Sequence, residues 1–519
     1  MSISEQTARQ IIGATKWRNN KGIGGWEWHT GVGKTTAALQ LALIPFLRKR
    51  PEGKVLVLVH NPNMKKDWKD HLKQFNLSDT VDLFTHREII NESASINKPL
   101  SYDLVIIDEP MSMMGDEDKK AWNGTSVVSK FWLWLDASMD RTNSTVREFL
   151  KLFPIIDSIG EKEAIAKGFI AKSIIINYGI SLPMEDRDEY DEISVEIEGL
   201  RKGFGKDGLE AAIWCLKGKK ILKPDGSFVT LDSSSMVMRV AQSLGYTSDI
   251  VNRINNEADE FKRQELMRIQ VECNPQRLIN NAQRLTELTR KRKFMLYKHP
   301  DKIKIATEIL KLLRLKTIVF SESRDFIREL TLQLNLANIN TVCCYSEREQ
   351  LPMGKGLFGL SFFPTDDKLI LVKTGKDKGK IKKFGDTSLN KAAKSDFTYG
   401  AAEIMVSGRS LAKGLSINSI RLTMICSGST NSDNFQQKKG RSQRNDVDDP
   451  DKVAVTLCIY FTDTVDAGWL GRYQAKSEGK IPIYNMVSAF HSIKQLKNLI
   501  DGKSTNNDGA NQATVSIFS

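Results

Sequence analysis

The chain has 519 residues, 40% of them hydrophobic, and a formal net charge of +13. That length exceeds one ordinary core and predicts two or three domains. The charge points to a polyanionic partner, most often nucleic acid. No run of about 18 apolar residues exists, which excludes a membrane-spanning helix. The N-terminus MSISEQTARQ has no apolar signal core.

The six cysteines (Cys215, Cys273, Cys343, Cys344, Cys426 and Cys458) form no C-x-x-C pair and no His/Cys cluster with zinc spacing. They read as free thiols, and the protein as soluble and intracellular.

The first third alternates short apolar runs with amphipathic helical patterns. KVLVLVH (Lys54–His60) predicts a strand buried on both faces. In the stretch after it, Met64, Trp68, Leu72 and Phe75 recur at helical spacing. YDLVIIDEP (Tyr102–Pro110) is a second buried strand ending in two acids, and FWLWLDAS (Phe131–Ser138) a third. Strands alternating with helices predict a parallel sheet covered on both faces. From Pro183 to about His299 the chain turns polar and helical, with an acidic helix at Glu185–Glu198 and a small hairpin turning at Pro224–Gly226. The α/β texture returns at KTIVFSES (Lys316–Ser323) and continues through four further strand-like runs. Among them lies a lysine-rich, hairpin-like insertion, Asp367–Asp386, and the chain closes on a polar segment that predicts a disordered tail. Trp68 and Trp214 read as core anchors rather than base-stacking platforms.

The stretch WEWHTGVGKTTAALQLAL (Trp26–Leu43) carries the chemistry of a phosphate-binding loop. Such a loop aims consecutive backbone N–H groups into one concavity at a helix N-terminus. Its usual pattern has a glycine where this chain has Trp28. Thr30, Gly31, Val32, Gly33, Lys34, Thr35 and Thr36 are the candidate nucleotide-binding residues, with Lys34 on the outer phosphates and Thr35 on Mg²⁺. LVIIDEP then offers Asp108 for the metal and Glu109 for the attacking water. Far downstream, QQKKGRSQR (Gln436–Arg444) puts Gln437, Arg441 and Arg444 on what reads as one helix. Arg441 and Arg444 would share a face and reach a γ-phosphate.

Together these pieces resemble a superfamily 2 helicase, of the Swi2/Snf2 or phage DNA-helicase type, over nearly the whole chain. TGVGKT (Thr30–Thr35) matches that family's motif I, which lacks the first P-loop glycine. Asp108–Glu109 matches motif II. Gln437, Gly440, Arg441 and Arg444 match every position of motif VI. ARQIIGATKW resembles the upstream glutamine motif, with Gln10 a candidate adenine contact. Weaker likenesses fall in order at VLVLVHNPNMKKDW (Ia), LFTHRE (Ib), LDAS (III), TIVFSES (IV) and SGRSLAKGLSI (V, with Gly414). There are two departures. Met111 follows Asp-Glu-Pro, where relatives carry a polar coupling residue, and Asp136-Ala137-Ser138 stands for a Ser/Thr-Ala-Thr-like motif III.

The resemblance implies an α/β fold of two tandem RecA-like domains, parallel sheets flanked by helices, with a mostly helical insertion between them. The expected spans are 1–183, 184–298 for the insertion, 299–500 for the second domain, and 501–519 for the tail. It implies ATP and Mg²⁺ (Thr35, Asp108) in a cleft completed by Arg441 and Arg444. Nucleic-acid phosphates would meet Asn61, Pro62, Thr85, Arg87, Ser321, Ser323, Ser407 and Arg409. The expected activity is an ATP-dependent DNA helicase or translocase acting in replication, recombination or repair. Its expected partners are single-stranded or branched DNA, read without sequence preference, and replication or recombination proteins. The motif wording suggests a phage-encoded protein acting in a host cytoplasm. A duplex-DNA translocase without strand separation and an RNA helicase are the alternatives. The lysine-rich insertion is a candidate duplex-gripping element.

Overall fold

In the computed structural model, residues 4–222, 228–345, 351–352, 371, 379–380, 383–384, 386–408, 417–428, 432–446, 448–475, 477, 479, 481–487 and 492–501 are described. The strands are β1 (Ile23–Trp28), β2 (Val55–Val59), β3 (Val81–Thr85), β4 (Leu100–Asp108), β5 (Val127–Asp136), β6 (Ile155–Ile159) and β7 (Lys172–Ile180). They continue as β8 (Lys219–Leu222), β9 (Phe228–Leu231), β10 (Thr317–Phe320), β11 (Thr341–Cys344), β12 (Leu351–Pro352) and β13 (Lys383–Phe384). The last four are β14 (Ile404–Ser407), β15 (Leu422–Ile425), β16 (Val453–Phe461) and β17 (Ile483–Val487).

One sheet runs β3-β2-β4-β5-β1-β6 and a second runs β11-β14-β10-β15-β16-β7-β17. Every pairing within both sheets is parallel. Alternation along the central strands feeds two cores, one on each face of the first sheet. Val55, Val57, Val59, Leu104, Ile106, Leu133 and Leu135 go to one. Leu56, Leu58, Val105, Ile107, Trp132 and Trp134 go to the other. That is why the strands read as unbroken apolar runs. Each such side chain contributes roughly 1.5–3 kcal/mol by its burial. The fold is therefore two parallel sheets flanked by helices, as in tandem RecA-like domains.

The span 1–183 expected for the first domain does not coincide with the first sheet, because β7 lies between β16 and β17 of the second sheet. The sequence hides this crossing. KSIIINYGI is as apolar as the strands before it, and its partners lie nearly three hundred residues downstream in the register Val453↔Lys172 to Phe461↔Ile180. The short helix Glu161–Ala166 connects β6 to β7 and so joins one sheet to the other.

Ser181–Pro300 forms a second compact unit. Its helices bury Ile193, Ile197, Ala212, Val237, Leu278, Leu285 and Leu288 in a core of its own. The acidic helix Met184–Lys202 buries Tyr190, Ile193 and Ile197 and turns its carboxylates outward. The hairpin β8–β9 is antiparallel, with its turn outside the described residues. Most of the lysine-rich insertion 367–386 and the tail 502–519 also lie outside them.

The helix after the glycine loop is not uniform. Lys34–Ala37 is α-helical, Ala38–Leu43 makes a π turn in which the Ile44 N–H reaches the Leu39 carbonyl, and Ile44–Lys49 is α-helical again. Pro45 supplies the reason: it has no N–H to give the preceding turn, and its ring crowds the carbonyl four residues back.

Candidate ATP site

Trp28 ends β1 and is fully buried. Its ring stacks on Trp26 with centroids 4.5 Å apart, and its indole N–H donates to Asp157 Oδ2 at 2.8 Å. Arg9 and Lys16 of the first helix reach the same carboxylate at 2.6 and 2.8 Å. The residue that breaks the usual glycine pattern thus anchors the loop's entry strand to β6. Gly31 (φ +94°) and Gly33 (φ +84°) make the turn in backbone conformations that L side chains rarely adopt.

Lys34 Nζ donates to the Trp28 carbonyl at 2.7 Å. The Val32 carbonyl accepts from Gln10 Nε2 at 2.7 Å and from Gln6 Nε2 at 3.0 Å. Gln10 therefore reaches the loop itself, and Gln6, one helical turn earlier, joins it. The turn spacing of the two glutamines was the available signal for Gln6. Thr35 is partly buried and Thr36 exposed in the first helical turn.

The acids arrive on neighbouring strands. Asp108 ends β4 and accepts from the Trp68 indole N–H at 2.8 Å. Burial, then the charge of Glu109, pushes its carboxyl up to about 7. Glu109 takes the left-handed conformation (φ +55°), and its N–H reaches the Leu135 carbonyl at 2.9 Å. Asp136 ends β5, the strand paired to β4. Its Oδ1 accepts the Ala137 N–H at 2.7 Å and its Oδ2 the Met111 N–H at 3.1 Å. Burial and Glu109 raise Asp136 to about 6. Burial lowers Lys34, and Asp136, Asp108 and Glu109, in that order, oppose the shift. Four charged groups therefore share one field at the carboxyl ends of β4 and β5. Asp136 was visible in the sequence only as a departure from motif III. The parallel between LVIID and LWLD, two buried strands each ending in an acid, was the signal that could have placed it.

The third part departs from its expected form. The helix carrying Gln437 is Ser432–Lys439, and it stops at Gly440. Arg441 and Arg444 follow in turn and bend, so they do not share a helix face. The Arg441 N–H reaches the Lys438 carbonyl and the Ser442 N–H the Lys439 carbonyl, which tightens the helix end. A Cβ at Gly440 would stand 3.0 Å from Thr30 Cγ2, and one at Gly31 would stand 3.9 Å from Arg444 Cγ. The arginine segment thus lies directly on the glycine loop. Burial, then Arg444, lowers Arg441 to about 10, against the charges of Glu109 and Asp67. Arg444 is lowered by burial and opposed by Asp67. Two residues join that were not foreseen. Asp67 lies on the helix Pro62–Gln74. Lys452 at the foot of β16 donates to the Arg444 carbonyl at 2.8 Å.

The residues expected to meet nucleic acid fall at strand ends. Asn61, Pro62 and Arg87 follow the paired strands β2 and β3, Thr85 ends β3, and Ser321 and Ser407 stand at the ends of the paired strands β10 and β14. Those are the edges where open parallel sheets hold ligands. Their side chains differ from the expectation. Thr85 is buried and caps the helix His86–Ser95 in a capping box with Glu88. Ser323 is buried and caps the next helix by accepting from the Phe326 N–H at 3.3 Å. Ser321 accepts from the Ser323 N–H at 3.2 Å, and Ser407 donates to the Gly408 carbonyl at 3.0 Å. These hydroxyls are committed to the local backbone in this conformation, whereas Arg87 is exposed. Arg409 and Gly414 lie outside the described residues.

A family model, type III restriction enzyme, res subunit, matches residues 3–120. No curated protein sequence matches the chain. Among solved structures, the chain is similar to the Pyrococcus furiosus Hef helicase domain, with 14% identity and a TM-score of 0.43, covering 90% of this chain and 99% of that one. It is also similar to S. cerevisiae Dbp5 bound to RNA and ADP BeF3, with 8% identity and a TM-score of 0.49, covering 96% and 93%. The segment matched by the family model contains both the glycine loop that follows β1 and the acid pair at the end of β4.

Proposed function

We propose that this chain is a superfamily 2 ATPase, a DNA helicase or translocase that couples ATP hydrolysis to movement along DNA, in replication, recombination or repair. The observation that carries the reading is the contact of Gly440 with Thr30, which brings the arginine segment onto the phosphate loop.

The residues fit a nucleotide with its cation. The loop offers backbone N–H groups at a helix N-terminus, and Lys34 stands within the field of the buried Asp108 and Asp136 and the partly buried Glu109. Burial raises the Asp108 and Asp136 carboxyls above the usual carboxylate range, and a cation bound beside them would offset that cost. Thr35 and Asp108 would hold Mg²⁺, which supplies charge neutralisation of the phosphates when bound. Gly31, Val32 and Gly33 would cradle the phosphates, and Lys34 would leave the Trp28 carbonyl for the outer ones. Glu109 would orient the attacking water. Arg441 and Arg444 would offset charge developing on the transferred phosphoryl group, with Gln437 beside them. Asn61, Pro62, Arg87, Ser321 and Ser407 would meet the strand. Such contacts go to phosphates and predict sequence-tolerant, salt-sensitive binding.

DNA is favoured because the matched family is that of a restriction-enzyme subunit. The test is ATP hydrolysis with single-stranded DNA, forked DNA, duplex DNA and RNA, alongside unwinding of forks and displacement of a triplex strand. DNA stimulation with fork unwinding supports the proposal. Triplex displacement without unwinding supports a duplex translocase, and stimulation by RNA alone overturns the DNA assignment.

A further inference from the structure

A second buried polar cluster lies behind the arginines and takes no part in the chemistry above. Glu161 is the first residue of the short helix connecting the two sheets, and it is 5% exposed. Its Oε1 accepts from Lys439 Nζ at 2.6 Å and from Gln443 Nε2 at 2.7 Å, and its Oε2 accepts from Lys439 at 2.7 Å. Lys439 is fully buried and also reaches Ser477 Oγ at 3.0 Å. Gln443 donates to Ser173 Oγ at 2.9 Å, and its carbonyl accepts the Ala171 N–H at 2.9 Å. On the other side, His29 Nε2 lies 3.9 Å from Glu161, while His29 Nδ1 meets the Thr30 carbonyl at 2.8 Å.

We infer that Glu161 is a positioning residue, which holds the segment Gly440–Arg444 against the loop Thr30–Gly33 and so fixes where Arg441 and Arg444 point. The inference rests on the ATPase reading above. Its geometry is a clamp with two jaws. Lys439 and Gln443 stand on either side of Gly440–Ser442, and one carboxylate holds both. Arg441 lies between the jaws and Arg444 directly after the second. Because Glu161 sits on the connector between the sheets, the clamp ties that connector to the arginine segment, with His29 of the loop packed beside it. Stability alone is a weak reason for such a cluster. A buried ion pair contributes little over an apolar pair of similar volume, and its best-attested use is to fix one arrangement among several. Burial would raise the Glu161 carboxyl, yet Lys439 and its neighbours hold it below the usual range, so the charge is present to act.

The test uses two variants of the full chain. Glu161→Gln/Lys439→Met removes both charges together, so no ion is left unpaired. Gln443→Met leaves the ion pair and cuts only the second jaw. Each is read by melting temperature, by the Kd of a fluorescent ATP analogue, and by kcat and KM for nucleic-acid-stimulated hydrolysis. The expected result is a kcat loss of about tenfold or more, with ATP Kd within about twofold and a folded chain. The loss should disappear in an Arg441→Ala background, because a residue acting through Arg441 has nothing left to position. If the double variant does not fold, Gln443→Met decides. A kcat within about twofold of the parent, or a loss that simply adds to that of Arg441→Ala, overturns the inference while leaving the ATPase reading standing. A parent that binds ATP without turning it over overturns the ATPase reading and the inference with it.

Discussion

Trp68 and Asp108 are joined by a 2.8 Å hydrogen bond from the indole N–H to Oδ2, which ties the helix after β2 to the acid ending β4. The bond opposes the burial that raises the Asp108 carboxyl. A Trp68→Phe chain keeps most of the packing and loses the donor. A hydrogen bond to a charged group contributes about 1.5–3 kcal/mol, so the carboxylate form should become harder to reach by about tenfold or more. The expected outcome is a higher Mg²⁺ concentration for half-maximal hydrolysis and a pH optimum moved upward. Titrations of hydrolysis against Mg²⁺ at several pH values check it. An unchanged Mg²⁺ requirement would separate Trp68 from the metal site.

Gly440 has no room for a side chain. A Cβ there would meet Thr30 Cγ2 at 3.0 Å and the Gln436 carbonyl at 3.1 Å. The second of these is backbone and cannot swing aside. Gly440→Ala should therefore push the arginine segment off the loop, at a stability cost of about 1–3 kcal/mol, typical of overpacking. Hydrolysis should fall more in kcat than in KM if the arginines act, as proposed, on charge that develops in the transition state. Steady-state kinetics beside a denaturant melt check both parts, and wild-type kcat in this variant counts against a closed contact during turnover.

Lys34 donates to the Trp28 carbonyl, within a field of three carboxylates. Lys34→Ala should abolish ATP turnover and leave DNA affinity within about threefold of the parent, because the proposed phosphate contacts to the strand lie at other strand ends. Hydrolysis assays with fluorescence anisotropy on a labelled single strand separate the two effects. Equal loss of both would make the lysine structural.

Much of the fold was legible because buried parallel strands write themselves as apolar runs, and VLVLV, LVIID and TIVF each lie in one. The glycine loop was legible because its chemistry is local: Gly31, Gly33 and Lys34 act within one turn. What was hidden depends on distant pairing. Nothing near Glu161 announces that it meets Lys439 and Gln443, nor does KSIIINYGI announce that it leaves the first sheet for the second. The arginines misled for a local reason. The spacing of Arg441 and Arg444 fits a helix face, but Gly440 ends the helix before either is reached. The local bonds of the Thr85, Ser321, Ser323 and Ser407 hydroxyls were equally hidden, because a serine or threonine at a strand end serves the local backbone as readily as a ligand.

His29 gives the site a pH dependence whose sign can be worked out. Its ring is buried beside Glu161, Lys439 and Lys34, and burial is the main cause that lowers it from 6.5 to about 4. Nδ1 faces the Thr30 carbonyl, which can only accept, so the neutral ring carries its proton there. The unfolded chain binds that proton below about pH 6.5, and the folded chain binds it only below about pH 4. The histidine's contribution is therefore fully present above pH 6.5 and is lost as the pH falls toward 4. At about 1.4 kcal/mol per pH unit the loss amounts to about 3 kcal/mol. His29→Gln retains a donor for the Thr30 carbonyl and cannot be protonated. Its unfolding free energy should lie near or below the parent's at pH 7.5 and gain on it steadily between pH 6.5 and 4.5. Denaturant melts of both chains across that range check the crossing. Parallel curves would mean that the ring reaches solvent and titrates in the folded chain as it does in the unfolded one.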